Sequence, residues 1–477
     1  MQIASRLRGW PAVKSKKTQQ GQALIYGLFV LMGGLAALFF LFNTGQLSAE
    51  KTKLVNTADA VAYSAGVMHA RALNFQAYTN RAMLANTVAI AQLVSLSSWI
   101  RYENSLAAFG SSTLNPKFLP FYPSYYAAVT GSRVSFPLVQ TGTLEALEVA
   151  SDDVNKALQS AQSLIYAGLP FARAKVMQQV VDANYQNDGS VTLDLIPLTL
   201  VDFLAFSRRY TGDGRTRFKE VALKSANFDS FIPKRSWTLV GFYGDCNFIK
   251  RDVLTRRGGT ELIRFDEWKA IDSLSEHQWV PSDSLDIFCS ANIEIPDGWG
   301  GQSGSNGIST LVDADPTHYD YSTVVNVDST AAAFATSSSW NYSGIPSFYD
   351  LSDTEMTDTK EKNDPRLKFA IRLRRPIDQT MTSEGRSAIK QSSSPSHKLG
   401  LNDYHAAPAG GSEMVAVGAS EVYFQRPPTQ DRQNIYGKSI GKPNEIGSLF
   451  NPYWQVHLIG SPDSIQKAQL LQGVVSP

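Results

Sequence analysis

Apolar positions near the start of the chain follow two patterns, one after the other. Residues 23–42 read ALIYGLFVLMGGLAALFFLF and carry no charge. A helix of about 20 residues covers about 30 Å, the thickness of the hydrocarbon core of a membrane. From Leu54 onward, apolar or small residues recur at alternating spacings of four and three. This 3.5-residue period predicts that the membrane helix continues into a long helix with an apolar seam.

The seam of this long helix is rich in alanine, which permits close packing against a neighbouring element. We predict a helix interface at Leu54, Ala58, Asp59, Val61, Ala65, Met68 and Ala72, where Asp59 lies just beside the seam. No helix breaker other than Gly66 occurs between Glu50 and Phe109. Because an unbroken helix over residues 22–108 would be about 130 Å long, we expect a kink or break near Gly66 or Asn86.

Residues 143–184 predict a second, amphipathic helix that could cover the seam, with an interruption at Pro170. Its expected apolar face consists of Leu144, Leu147, Val154, Leu158, Ala161 and Ile165. Two arrangements remain open at this point. The two helices form an antiparallel hairpin within the chain, or the seam makes a coiled-coil contact with another subunit, which includes possible self-association.

The pattern changes after residue 190, where short β-prone runs are separated by Gly, Pro, Ser and Asp. We predict strands at 191–198, 236–244, 285–295, 366–376, 414–427 and 453–460. A helical piece is predicted at 267–279, and mobile loops near 298–310 and 382–403. The expected fold class is therefore α+β: the transmembrane helix, the long helix, the second amphipathic helix, and an antiparallel β-rich C-terminal domain.

These patterns divide the chain into five parts. The predicted boundaries are a basic tail at 1–21, a transmembrane helix at 22–42, a membrane-proximal long helix at 43–109, a turn region with the second helix at 110–187, and a β-rich extracytoplasmic domain at 188–477.

Charge gives the predicted orientation in the membrane. The first 20 residues contain five cations, and no acidic residue occurs before Glu50. The positive-inside rule therefore keeps the N-terminus in the cytoplasm and places the bulk of the chain outside it. A cleaved signal peptide is disfavoured, because its apolar region is usually shorter and ends in a small-x-small site. The net charge of +1 argues against a nucleic-acid-binding protein.

Candidate chemistry is sparse. If the C-terminal part lies in an oxidising compartment, Cys246 and Cys289 are expected to form a disulfide; the alternative is two unrelated buried thiols. The segment DADPTHYD at 313–320 is acidic, but Pro316 and the missing turn glycine spoil an EF-hand pattern. We find no nucleophile elbow, P-loop or dinucleotide fingerprint. We therefore predict no catalytic residue, no cofactor and no metal site.

The membrane segment and the residues after it resemble a known family. The run GQALIYGLFVLMGGLAALFFLFNTGQL is followed by a signature in which Asn56, Ala58, Asp59, Ala60 and Ala62 stand as Asn-x-Ala-Asp-Ala-x-Ala. Over residues 20–70 the chain resembles Tad (tight adherence) pilus-assembly proteins of the TadE/TadG-like type.

The resemblance implies a structural or assembly component of a Tad-like (Flp-type) pilus or secretion apparatus. It would be held in a bacterial inner membrane by one span, with its bulk in the periplasm. It would act through helix-mediated contacts with other pilus or secretion subunits. The alternative is an exported, membrane-tethered enzyme or adhesin of unknown substrate.

Overall fold

A computed structural model describes most of the chain. The described residues are 20–109, 142–195, 199–243, 251–263, 265–304, 338–352, 365–381, 390–391, 403–404, 413–425 and 447–460. Four α-helices occur within these ranges: α1 (Gln20–Phe109), α2 (Gly142–Asn184), α3 (Thr199–Phe206) and α4 (Thr216–Ala226).

The described strands form two larger sheets and two small pairs. Their bounds are β1 (Thr192–Leu195), β2 (Ser207–Tyr210), β3 (Trp237–Tyr243), β4 (Arg251–Ile263), β5 (Glu267–Val280), β6 (Ala291–Gly304), β7 (Ser338–Trp340), β8 (Phe348–Leu351), β9 (Arg366–Pro376), β10 (Lys390–Gln391), β11 (Asp403–Tyr404), β12 (Glu413–Phe424) and β13 (Trp454–Leu458). One sheet has the order β1-β9-β12-β13, and its strands are antiparallel. The other has the order β3-β4-β5-β6-β7 and is antiparallel except for the β6–β7 pair. The α+β class is confirmed.

Helix α1 organises the fold, because successive parts of it pack on different elements. The segment around Leu54–Ala65 shares a core with β9 and β12 of the four-stranded sheet. Farther along, Tyr102 and Leu106 share a core with β4 and β5 of the five-stranded sheet. The two sheets therefore lie at successive levels along one helix, with the four-stranded sheet nearer its N-terminal end.

The expected break in α1 does not occur: the helix runs unbroken from Gln20 to Phe109. Gly66 faces the sheet, where an added Cβ would come closer than 3.0 Å to side-chain atoms of Val456 and Ser420. Asn86 donates a hydrogen bond to Asn155 of α2 (3.2 Å). Both positions where sequence alone suggested a weak point therefore make tertiary contacts, and the helix is continuous through them.

The second helix also runs through its expected interruption. α2 is continuous across Pro170 and lies antiparallel beside α1. The face that it turns inward differs from the prediction. Leu144 and Leu158 pack on a core, but Leu147, Val154 and Ile165 are exposed. The buried side chains between residues 142 and 168 are polar: Glu148, Asp152, Asn155 and Gln162.

Three segments of the β-rich region differ from the sequence predictions. Residues 267–279, predicted to be helical, lie in strand β5 between β4 and β6. The glycine-rich residues 298–304, predicted to be a mobile loop, lie in β6, and the rest of 298–310 is outside the described residues. Residues 285–290 form a turn instead of a strand, in which the Asp286 carboxylate accepts hydrogen bonds from Ser282 and Ser290. Of 382–403, only 390–391 and 403 are described, and they lie in β10 and β11.

A buried acid near the N-terminal end of α2 gives the first testable prediction. Glu148 is fully buried, and neither carboxylate oxygen has a hydrogen-bond partner among the described residues. Burial, helped by the charge of Asp152, raises the pKa of Glu148 to about 7. Between pH 4.5 and 7 the folded protein therefore holds a proton that the unfolded chain lacks, so this group lowers stability as pH rises through that window.

We expect Glu148→Gln to raise the free energy of unfolding by about 1–3 kcal/mol at pH 8 and to have little effect at pH 4.5. Urea unfolding of the detergent-solubilised chain at both pH values measures this. The control is Glu145→Gln, an exposed acid on the same helix, for which a change within about 0.5 kcal/mol is expected at either pH. An equal effect of Glu148→Gln at both pH values would contradict the shifted pKa.

Candidate protein-contact site on the anchor helix

The N-terminal part of α1 is the one candidate membrane span among the described residues. It is long and apolar enough to cross a bilayer, and none of the surface of its most apolar window is buried in the protein. Its large side chains, such as Leu24, Phe29 and Leu38, are more than half exposed. Because an apolar helix surface of this length needs an apolar environment, this segment supports association of the protein with a membrane.

The seam residues beyond the span face the protein's own sheet. Leu54, Ala58, Val61 and Ala65 are fully buried. They share a core with Phe369 and Ile371 of β9, Met414 and Ala416 of β12, and Met177 and Val181 of α2. Ala72 is buried and Met68 packs on the next core along the helix. The described part of the chain thus fills this seam by itself, and its main contact is a sheet.

The alanines of the seam permit an unusually close contact between helix and strand. A Cβ added to Gly418 of β12 would come closer than 3.0 Å to the backbone carbonyl of Ala58. One turn later, Ser420 donates a hydrogen bond from its Oγ to the carbonyl oxygen of Ala62 (2.7 Å). Small residues on both surfaces therefore bring the two backbones together, and Ala58 and Ala62 of the Asn-x-Ala-Asp-Ala-x-Ala signature form this contact.

The polar members of the signature are less buried than Ala58 and Ala62. Asn56 is exposed, and Asp59 and Ala60 are half-buried. Partial burial raises the pKa of Asp59 above its usual value. The signature therefore combines alanines that contact β12 with a half-buried carboxylate at their flank and an exposed amide.

Polar side chains of α1 also bind the backbones of strands and loops. Asn74 accepts a hydrogen bond from the amide of Trp454 and donates one to its carbonyl (both 2.9 Å). Asn80 donates to the carbonyl oxygens of Tyr349 and Leu449 (both 2.7 Å). Sequence reasoning missed these residues, although a polar residue that recurs on the buried side of a helix is a usable signal for such contacts.

A buried charged cluster joins α1 to the five-stranded sheet. The carboxylate of Asp272 in β5 is fully buried and accepts hydrogen bonds from Arg235 (2.9 and 3.0 Å), Arg256 (2.8 Å) and Ser98 of α1 (2.6 Å). The guanidinium of Arg256 also stacks on the ring of Tyr102, 3.6 Å from its centre. The cluster therefore ties two arginines, a strand and the helix to one carboxylate.

A second buried cation lies between α1 and α2. Arg173 approaches Nε2 of His69 (2.7 Å) and lies over the ring of Phe369. Burial, with the charge of Arg173, lowers the pKa of His69 to about 3, so His69 is neutral and its Nε2 accepts the hydrogen bond from the guanidinium. The ring of His69 also stacks on Phe203 (5.2 Å between ring centres). This contact fixes α2 against the helix and the four-stranded sheet.

The structure bears on the remaining candidates only in part. Cys289 is fully buried, but Cys246 lies outside the described residues, so the disulfide stays a prediction. The acidic segment at 313–320 is also outside them. Within the described ranges, no group of three or more His, Cys, Asp or Glu side chains could hold a metal ion. The features that stand out are therefore contact surfaces.

Comparison with known proteins agrees with the resemblance seen in the sequence. Residues 21–72 match the family described as Tad, putative Flp pilus-assembly TadE/G-like. Neither a curated protein nor a solved structure matches the chain. The matched residues contain the candidate span and the start of the seam, including the contact with β12. The match supports a role in pilus assembly.

Proposed function

We propose that this protein is a membrane-anchored assembly component of a Tad-like pilus or secretion apparatus, with its bulk in the periplasm. The observation that carries the proposal is that the family match and the sheet contact lie on one continuous helix. A helix without a break transmits position and rotation, whereas a flexible tether transmits neither. The α1 seam therefore couples the anchor to the outer domain.

Charged contacts just outside the span support this coupling. Glu50 of α1 pairs with Arg375 at the end of β9, and Lys51 donates to the carbonyl of Val415 in β12. Lys53 lies over the ring of Tyr185, which follows α2. Within the described residues, the outer domain is thus attached to α1 within about two turns of the membrane exit. These contacts fix the orientation of the outer domain relative to the membrane. The protein then makes its helix-mediated contacts with other subunits in that fixed orientation.

The test is an insertion between Thr44 and Gly45, both exposed and placed before Leu47, which packs on the core shared with the four-stranded sheet. Insertion of Gly-Ser-Gly-Ser should uncouple the domain and reduce the number of pili per cell at least tenfold, with a normal amount of membrane-inserted protein. The matched control is a seven-residue, alanine-based helical insertion, which leaves a rotation of only about 20° and should retain assembly.

Normal pilus number with the flexible insertion would show that coupling through α1 is wrong. Normal pilus number in cells that lack the protein would contradict the assembly role itself. That second outcome would favour the alternative class, an exported, membrane-tethered enzyme or adhesin.

A further inference from the structure

Helix α2 differs from an ordinary surface helix between residues 142 and 168, because its fully buried side chains there are polar. Ordinary surface helices bury their apolar side and expose their polar side. Here the buried side carries Glu148, Asp152, Asn155 and Gln162, and it meets polar residues of α1, as in the hydrogen bonds from Gln162 to Thr79 (2.6 Å) and Asn80 (2.7 Å). Leu144 and Leu158 pack inward, but other apolar residues face outward, where Leu164 is 73% exposed and Phe171 is 80% exposed.

The outward apolar residues form a second heptad seam. Spacings of 3, 4, 3, 4, 3, 4 and 3 connect Leu147, Ala150, Val154, Ala157, Ala161, Leu164, Gly168 and Phe171, which we call the outer seam. None of the eight is charged, and none is fully buried. A 3.5-residue period keeps one stripe facing a partner helix along its whole length, and it has no role on a helix that faces water.

We propose that the outer seam binds the outer seam of a second copy of this chain in a parallel two-helix contact. Two copies in one membrane have the same orientation, and α2 lies along the continuation of the span. The symmetry axis that relates them is then parallel to the membrane normal, which makes the two α2 helices parallel. Each seam residue meets its own counterpart, with Ala157 and Ala161 in the middle and Leu147 and Phe171 at the ends.

Charge is compatible with this register. Lys156 is paired with Asp152 (2.8 Å) and Asp153 (3.2 Å) on its own helix. Asp153 flanks the seam, and in a parallel pair it lies across from Leu158 of the second copy, so no like charges oppose each other. If a carboxylate of one copy faced the same carboxylate of the second copy, their repulsion would argue against a contact between copies.

The size of the contact sets its expected strength. The outer seam spans about 36 Å of helix, which is short for a two-stranded contact in water. Confinement of both copies to one membrane raises their effective concentration, which offsets the weak association expected of so short a contact. The outer seam lies on the side of α2 away from α1, so the four helices follow the order α1, α2, α2 of the second copy and α1 of the second copy. Each neighbouring pair is about 8–10 Å apart, and three such distances separate the two α1 helices. The spans therefore do not touch. The proposed contact between copies depends on the membrane span, which gives both copies the same orientation. It does not depend on a role in pilus assembly.

Cysteine cross-linking in membranes tests the proposal, in a chain whose native cysteines are shown first to give no covalent dimer. Ala157→Cys, in the outer seam, should give a disulfide-linked dimer. Tyr78→Cys, at a 62% exposed position of α1, and Gly27→Cys, in the span, should not. Adding Leu164→Asp to Ala157→Cys should abolish the dimer, whereas adding Tyr78→Asp should leave it unchanged. Leu164→Gln replaces the aspartate variant if the latter lowers the protein level.

Register is tested with two differently tagged copies. Leu147→Cys should cross-link to Leu147→Cys, which is possible in a parallel pair. A cross-link between Leu147→Cys and Phe171→Cys in its place would overturn the parallel arrangement. Monomer alone from Ala157→Cys, or its cross-linking to a different protein without dimer, would overturn the contact between copies. Since pilus number is not the readout, these outcomes are independent of the assembly role.

Discussion

Gly300→Ala is expected to destabilise the protein by about 3 kcal/mol or more, although it adds a single methyl group. Gly300 lies in β6 directly under α1, and a Cβ there would come closer than 3.0 Å to the backbone oxygen of Ser98 and the backbone nitrogen of Tyr102. Backbone atoms in the middle of a long helix cannot move aside as a side chain can. The helix and the sheet must separate, and because the clash is with backbone atoms the expected cost lies at or above the upper end of the roughly 1–3 kcal/mol that is typical of overpacking.

Gly304→Ala is the matched control, because Gly304 lies on the same strand and is also buried. Its added Cβ would meet a side-chain methyl group of Val94 at 3.2 Å, which can shift by a few tenths of an ångström. We expect a cost of about 1 kcal/mol or less. Urea midpoints of the detergent-solubilised variants, followed by tryptophan fluorescence, measure both changes. Equal midpoints for the two variants would show that the close approach of helix and strand is not what requires glycine.

Asp272→Asn is expected to cost about 3–5 kcal/mol. The change preserves the shape of the side chain but removes the charge that Arg235 and Arg256 share, and both guanidinium groups are more than nine-tenths buried. A buried ion pair contributes little net stability when it is complete, because desolvation offsets the attraction. Removal of one partner leaves the other charge uncompensated, and that accounts for the size of the loss.

The control for this cluster is Asp266→Asn, just before the same strand. Asp266 pairs with Arg215 (3.2 Å), but its side chain is 69% exposed, so a change below about 1 kcal/mol is expected. Thermal unfolding at low and at high salt distinguishes the two sites, since salt screens the exposed pair and leaves the buried one nearly unaffected. A loss for Asp272→Asn no larger than that for Asp266→Asn would show that the buried cluster is not required.

Local pattern was sufficient for several elements. The strand predicted at 366–376 has the bounds of β9, and those predicted at 236–244 and 453–460 contain β3 and β13. These runs are rich in β-branched, aromatic and other large apolar residues and end at Gly or Pro, so their neighbours along the chain carry the information. The seam of α1 was also readable, because a 3.5-residue period is a property of the helix itself.

Local pattern was misleading where a non-local contact decides the conformation. Residues 267–279 mix charged and small residues as a surface helix does, yet they pair with β4 and β6 on both edges. Glycines at 298–304 are typical of a mobile loop, but Gly298 and Gly300 are also the residues that allow a strand to lie against the backbone of α1. The composition of each segment fits both the predicted structure and the observed strand. The contact with neighbouring strands or with α1 decides which of the two forms.

The sequence by itself indicated the candidate span, the long helix with its small-residue seam, the change to β structure after it and the family that its first part resembles. Each of these depends on side-chain period, length or residue type over a short stretch of chain. Only the tertiary structure decided that the seam contacts a sheet, that α1 continues without a break, and that α2 turns its polar side inward and leaves Leu164 and Phe171 outside. These outcomes depend on contacts between segments that are far apart in sequence. Such contacts require a match in shape and hydrogen bonding that a local sequence pattern does not show.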